Sequence, residues 1–362
     1  MKTLPGAVCT LHEENESDPA HSLKLFADQK GIIHFHVSSS VEYVSLAKVV
    51  IDCDVNGNIT RFPLELRVSF QPTFDMPVTI EMPRAESGSV TVLPALTEDD
   101  MLQLSRKELL RRGYPPSPNP EKQKQWAVDS WLRAFSIPLT FVEPKTIAYT
   151  HLSQGPGAIA HEFGLKQVVS DNWSGFMLIR GGPYCVVTGR WTVPSVYSAE
   201  NRIDGEAQAS IWVGLDGWDD FGLPALPQAG TLQTSLDIHE LTFCGYHAWS
   251  EFWPDQLTMQ VLPELKVSPG DEMLVSIWMG DKNSDLKLNG DFVFWLANLT
   301  NHEYTSDSIP RGTTTVVHGT TAEWIVERPI LEPVSATGPR NYANLSDYNS
   351  LNMVGYAAHA TG

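Results

Sequence analysis

Over most of the chain apolar and polar residues alternate with a period of two, the spacing that sends successive side chains to opposite faces of an extended strand. Ile33-His34-Phe35-His36-Val37 alternates, and Val44 to Val55 is apolar and β-branched. Thr60 to Phe70 follows across Asn56-Gly57, a dipeptide suited to a two-residue hairpin. Residues 1–95 therefore read as a small antiparallel β domain. From about residue 168 onward, runs rich in Val, Ile, Trp and Thr recur between turn signals. They include Val186 to Val193, Ala209 to Leu215, Glu272 to Met279, Asp291 to Leu299 and Ala322 to Val326. Evenly spaced strands without helices predict a mainly β chain whose residues 168–362 form a two-sheet antiparallel sandwich.

The period changes in between. Thr97-Glu98-Asp99-Asp100 reads as a helix start with acids in its first turn, Met101 to Arg112 carries apolar positions at helical spacing, and Gly113 ends it. Tyr114 to Pro120 is proline-rich and extended, and a second helix is expected from about Glu121 to Phe135. Residues 96–167 thus form a helical, proline-rich linker or prosegment. Within 101–125, Arg106, Lys107, Arg111, Arg112, Lys122 and Lys124 stand against Glu108 and Glu121, a local excess of positive charge in a chain of net charge −18.

That overall charge disfavours nucleic acid and anionic membrane as partners, since phosphate binding needs clustered Lys and Arg. It suits a protein working in acid, where carboxylates lose charge. No apolar run reaches the 18 residues of a membrane span, and the first residues do not read as a secretory signal, so localisation stays open. Cys9, Cys53, Cys185 and Cys244 form no CxxC pair, which argues against zinc; a Cys9–Cys53 bridge is left open. Asp52-Cys53-Asp54 imitates a calcium loop, but Pro63 falls where that loop needs Glu. His34 and His36 share a face without a third ligand nearby. No metal and no cofactor is expected.

The familiar hydrolase signatures GxSxG and HExxH are absent, as is a phosphate-binding glycine loop. What remains is an ordered series of blocks: Asn172-Trp173-Ser174-Gly175, Trp191-Thr192-Val193-Pro194, Trp212-Val213-Gly214-Leu215-Asp216-Gly217, Leu232-Gln233-Thr234, Tyr246-His247-Ala248-Trp249-Ser250-Glu251-Phe252-Trp253-Pro254-Asp255 and Ala322-Glu323-Trp324-Ile325-Val326-Glu327. In this order, over roughly residues 170–357, the series resembles the eqolisin family of glutamic peptidases.

The resemblance implies a concanavalin-like antiparallel β-sandwich with its groove on the concave sheet, a secreted acid endopeptidase, and a protein or peptide substrate. It implies Gln233 and Glu327 as the catalytic dyad, Trp212 and Asp216 lining or supporting the groove, and Trp249 and Glu251 on its border. Glutamate can act as general base and then acid, while a glutamine amide donates to the tetrahedral oxyanion. Ser235 stands where the family usually has Gly. The resemblance also suggests that residues 101–125 inhibit intramolecularly by docking on the acidic sandwich, against the alternative of a plain spacer. The rival functional reading is an inactive sandwich that binds carbohydrate or a protein partner. Glycoside hydrolysis would require two facing carboxylates, whereas these blocks pair a carboxylate with an amide.

Overall fold

A computed structural model describes residues 7–14, 22–28, 31–39, 44–55, 58–69, 76–81, 92–119, 123–144, 146–149, 160–161, 168–179, 182–197, 206–217, 225–238, 241–256, 258–280, 286, 290–310, 317–330 and 342–359. The N-terminal strands are β1 (Val8–Glu13), β2 (Leu23–Phe26), β3 (Ile32–Ser39), β4 (Val44–Val55), β5 (Asn58–Ser69), β6 (Met76–Glu81) and β7 (Val92–Leu93). Four of them form a sheet in the order β2-β1-β4-β5. Val55 pairs with Asn58, which leaves the two-residue connection expected from the sequence, although Asn56 and Gly57 themselves lie outside the described residues. Cys9 and Cys53, partners in the β1–β4 register, are joined by a disulfide.

The single helix expected over Met101 to Arg112 is two helices, α1 (Glu98–Gln103) and α2 (Arg106–Arg111). Leu104 is extended, and Ser105 opens the second helix with a capping box in which its hydroxyl accepts from the N–H of Glu108 while the Glu108 carboxylate accepts from the N–H of Ser105. This local cap outcompetes continuation of the first helix. Gly113 ends α2 at φ +93°, a conformation glycine adopts freely. Helix α3 is Gln125–Ala134, a start later than Glu121.

Short strands β8 (Leu139–Phe141), β9 (Ile147–Tyr149), β10 (Ala160–His161) and β11 (Val168–Val169) lead into the sandwich. Its strands are β12 (Trp173–Leu178), β13 (Val186–Thr192), β14 (Val196–Tyr197), β15 (Ala207–Leu215), β16 (Leu226–Ile238), β17 (Leu241–Trp253), β18 (Met259–Lys266), β19 (Glu272–Gly280), β20 (Asp291–Asn298), β21 (Glu303–Ile309), β22 (Ala322–Glu327), β23 (Asn344–Leu345), β24 (Asp347–Tyr348) and β25 (Met353–Ala358). The front sheet runs β12-β22-β15-β16-β17-β18-β9, and the back sheet β25-β13-β19-β20-β21-β8-β7. Strand β3 pairs with both β17 and β6, and β7 pairs with β8, so segments ahead of residue 168 are hydrogen-bonded into both sheets.

Apolar side chains fill the space between the sheets, among them Val187, Trp191, Ile211, Val213, Ile277, Phe294 and Trp324. Such a fully covered sheet explains why β15 is buried along its whole length. Leu109, Leu110 and Tyr114, together with Trp131 of α3, form a second core on the outer side of the back sheet against Val186, Trp278 and Trp295. The four-stranded N-terminal sheet packs through Leu11, Leu25 and Ile51 on Leu236 and Phe243, at one end of the β16–β17 hairpin.

Candidate active site

The registers of β22, β15, β16 and β17 determine which side chains share the front face. Three transverse rows result: Glu327–Ser210–Leu232–His247, then Ile325–Trp212–Gly230–Trp249, then Glu323–Gly214–Gln228–Glu251. Neighbouring rows lie two residues, or roughly 7 Å, apart along the strands. Gly230 is required in the middle row: a Cβ there would sit 1.9 Å from the Ile211 carbonyl oxygen and 2.7 Å from the Trp212 Cα.

In the third row Gln228 Nε2 donates to Glu251 Oε2 at 2.9 Å, and Thr321 Oγ1 donates to Glu323 Oε1 at 2.9 Å. Among the described residues, the buried atoms Gln228 Oε1 and Glu323 Oε2 have no hydrogen-bond partner. Glycine at 214 puts no side chain between them. Burial drives the Glu323 carboxyl well above the usual carboxylate range; the charges of Asp216 and Glu327 push the same way, and the Thr321 hydrogen bond opposes them.

Glu327 is occupied differently. Asn172 Nδ2 donates to its Oε1 at 3.0 Å and Trp212 Nε1 to its Oε2 at 2.9 Å. It thereby fixes the Trp212 indole, which meets Trp173 edge-on at 5.0 Å. Asp216, at φ +60°, turns its carboxylate onto the main-chain N–H groups of His318, Gly319 and Thr320 and the Thr320 hydroxyl. It braces the loop that leads into β22 instead of lining the groove.

The structure does not bring Gln233 and Glu327 together. Gln233 pairs with Ala209 and Tyr246, on the opposite face of the front sheet. Its Nε2 donates to Thr231 Oγ1 at 2.7 Å within the core between the sheets, where Trp191 Nε1 also meets Thr231 at 3.2 Å. The cause is parity. On β16 the even-numbered residues face front, so an odd-numbered glutamine points inward. Trp212, Trp249 and Glu251 do share the front face, whereas Trp191 and Trp324 belong to the core. The sequence blocks single out neither Gln228 nor Glu323, which the registers place in one row of the front face. The signal was present in Leu226-Pro227-Gln228-Ala229-Gly230, which keeps a glycine two residues after the glutamine where the block at 232–235 has Ser235.

Among the described residues of the basic segment 101–125, Leu109, Leu110 and Tyr114 lie against the other sheet, the back one, and bury their apolar surface on its outer side. Among the described residues, no group of three His, Cys, Asp or Glu stands close enough to hold a metal ion, and no helix is long and apolar enough to cross a membrane.

The sequence model of the Peptidase A4 family matches residues 171–362, more than half of the chain. The chain belongs to the Peptidase A4 family. As an A4 peptidase it is a hydrolase of the glutamic peptidase type built on a β-sandwich. Similar solved structures include scytalido-glutamic peptidase with a peptide-based transition-state analogue, 22% identical over 50% of this chain and 76% of that one, with a TM-score of 0.38. Another is SCP-B, an eqolisin in complex with the tripeptide Ala-Ile-His, at 24% identity, 50% and 75% coverage and a TM-score of 0.36. Aspergilloglutamic peptidase from Aspergillus niger matches at 24% identity, 39% and 70% coverage and a TM-score of 0.29. No curated protein matches.

Proposed function

We propose that this A4 peptidase cleaves peptide bonds through Glu323 and Gln228, in place of the pair Glu327 and Gln233. One observation carries the reading: Gln228 Oε1 and Glu323 Oε2, both unpartnered and buried, flank the bare backbone of Gly214 on the groove face. Their strands lie two spacings apart, roughly 10 Å, which leaves room between the side-chain ends for a scissile amide and a water. Glu323 takes a proton from that water as it attacks the carbonyl carbon, and then delivers a proton to the leaving nitrogen. The Gln228 amide donates to the developing oxyanion through the N–H that Glu251 does not hold, while its Oε1 accepts from the attacking water. Glu251 thus acts as a positioning residue. Burial keeps Glu323 protonated in the closed groove, so its work as a base requires solvent and substrate to enter, which brings its pKa back toward the ordinary carboxylate range.

Hydrolysis of a denatured protein between pH 2 and 7 tests the assignment in three variants. Glu323→Gln is expected to abolish turnover and Gln228→Ala to lower it by about 10²–10³, the usual effect of losing an oxyanion donor. Gln233→Ala is expected to leave the pH profile unchanged. Full turnover in Glu323→Gln or in Gln228→Ala would sink the reading.

A further inference from the structure

The front face is occupied in this structure. Gln228, Glu251, Glu323 and Glu327 are all at most 1% exposed, so no peptide reaches them as the chain stands. Among the described residues, β2, the edge strand of the N-terminal sheet, lies with Val8 of β1 over the tryptophan row of this face. Edge strands offer main-chain N–H and C=O groups to whatever lies beside them, as extended peptides do in a binding groove. On β2 those groups at Lys24 face the sandwich. The Lys24 main chain meets the Glu206 carboxyl, at the start of β15, and the His247 ring on β17, where Glu206 Oε1 and His247 Nε2 are buried without a hydrogen-bond partner among the described residues. Phe26 meets that ring edge-on at 4.8 Å and packs, with Val8 of β1, on the apolar floor formed by Trp173, Trp212 and Trp249. Leu25 passes over Gly245, where a Cβ would sit 3.5 Å from Leu25 Cδ2.

From this geometry we propose that β2 is a built-in occupant of the substrate groove, clasped at Lys24 by Glu206 and His247, so that the chain blocks itself until β2 leaves. The inference rests on the reading of the front face as the peptide groove. It goes further in naming the ligand, an extended peptide held through its main chain, and the two side chains that hold it. The same clasp and the tryptophan floor receive a substrate strand once β2 is out, which favours an aromatic or large apolar residue two positions after the clasped one, as Phe26 follows Lys24.

Hydrogen exchange on the full chain separates the block from the chemistry. His247→Ala, a change inside the sandwich, and Phe26→Ala, a change in β2, are each expected to raise exchange at residues 22–28 by at least tenfold while β13 and β19 stay protected. Peptidase turnover should rise at least tenfold in Phe26→Ala, which opens the groove and leaves the clasp for substrate intact. A synthetic peptide with the sequence of residues 21–28 should restore the parent turnover when added to that variant. If Phe26→Ala does not fold, His247→Ala carries the test. Folded His247→Ala with parent exchange at 22–28 and parent turnover would overturn the proposal. Faster exchange at 22–28 with peptide binding but no cleavage in any variant would support the block and overturn the assignment of Glu323 and Gln228.

Discussion

Glu251 is buried beside Gln228, and its Oε2 accepts from the Gln228 amide. A carboxyl oxygen only accepts, so it fixes which end of the Gln228 amide faces it, whereas a glutamine at 251 could present either its oxygen or its N–H₂. Glu251→Gln keeps the size and weakens that hold, so kcat should fall by about tenfold or more while KM changes little, as steady-state kinetics on a short peptide would show. Unchanged kcat would remove Glu251 from the site. Glu327 makes the opposite forecast. Its two oxygens satisfy buried donors on Trp212 and Asn172, and Glu327→Ala would orphan both. We expect a loss of about 2–4 kcal/mol in urea unfolding, with Glu327→Gln losing less because one acceptor survives. The sequence made these two residues hard to rank, because Glu323 and Glu327 lie four apart on one strand and share a face. Residue type alone does not say which glutamate is pinned by donors and which has an oxygen left over. Gln233 shows a related limit: its block matches, but only the register of β15 against β16 shows that it faces the core.

At the scale of elements more was legible. The strands after residue 168 follow from β-branched runs between turns, and β4 and β5 follow from apolar patterning across a two-residue connection. The break between α1 and α2 was written in Ser105-Arg106-Lys107-Glu108, a capping box set inside an otherwise helical period. What the pattern could not give was partnership. Nothing local in Ile32–Ser39 says that it pairs with β17, some two hundred residues away in sequence, because such contacts depend on faces that form only on folding. Two glycines test how strictly the elements are specified. Gly230→Ala would drive a Cβ into fixed backbone, so β15 and β16 must separate or the fold is lost, a cost of about 3 kcal/mol or more. Gly270→Ala meets no atom within 4 Å and strains only its positive φ, at about 1–2 kcal/mol. Urea midpoints that rank the two equally would refute this account of the Trp212–Trp249 row.

Across the whole molecule, closure of the groove is tied to pH and to one covalent bond. His247 faces Lys24 and Phe26 of β2, His34 of β3 and its register partner Lys266; His34 in turn faces His36, Asp28 and Lys266. Burial holds both histidines down to about 4, with Lys266 adding to the effect at His34. A lowered folded pKa means that the neutral form is favoured. The stability it contributes is complete above about pH 6.5 and is lost as pH falls toward 4. His247 contributes up to about 3 kcal/mol by this route, and the partly buried His34 less. Glu206 has the reverse sign. Burial raises it to about 8, so its contribution is lost as pH rises from about 4.5 through 8. Closure is therefore strongest at about pH 5–6, between these limits, and weakens as the pH falls toward 4 and as it rises toward 8. The Cys9–Cys53 disulfide joins β1 to β4 across 44 residues and opposes unfolding of the N-terminal sheet that presents β2; loop entropy makes it worth about 4 kcal/mol. Acid and reductant should then act together. Relative to about pH 5.5, hydrogen-exchange protection factors at residues 22–28 should fall modestly at about pH 3.5 alone or with a phosphine alone at about pH 5.5, and by the product of the two effects when they are combined. Peptidase turnover at pH 4.5 should rise in parallel after reduction with a phosphine that works in acid. Exchange at 22–28 that is indifferent to both would mean that β2 is a permanent part of the sandwich and that the histidines beside it serve packing alone.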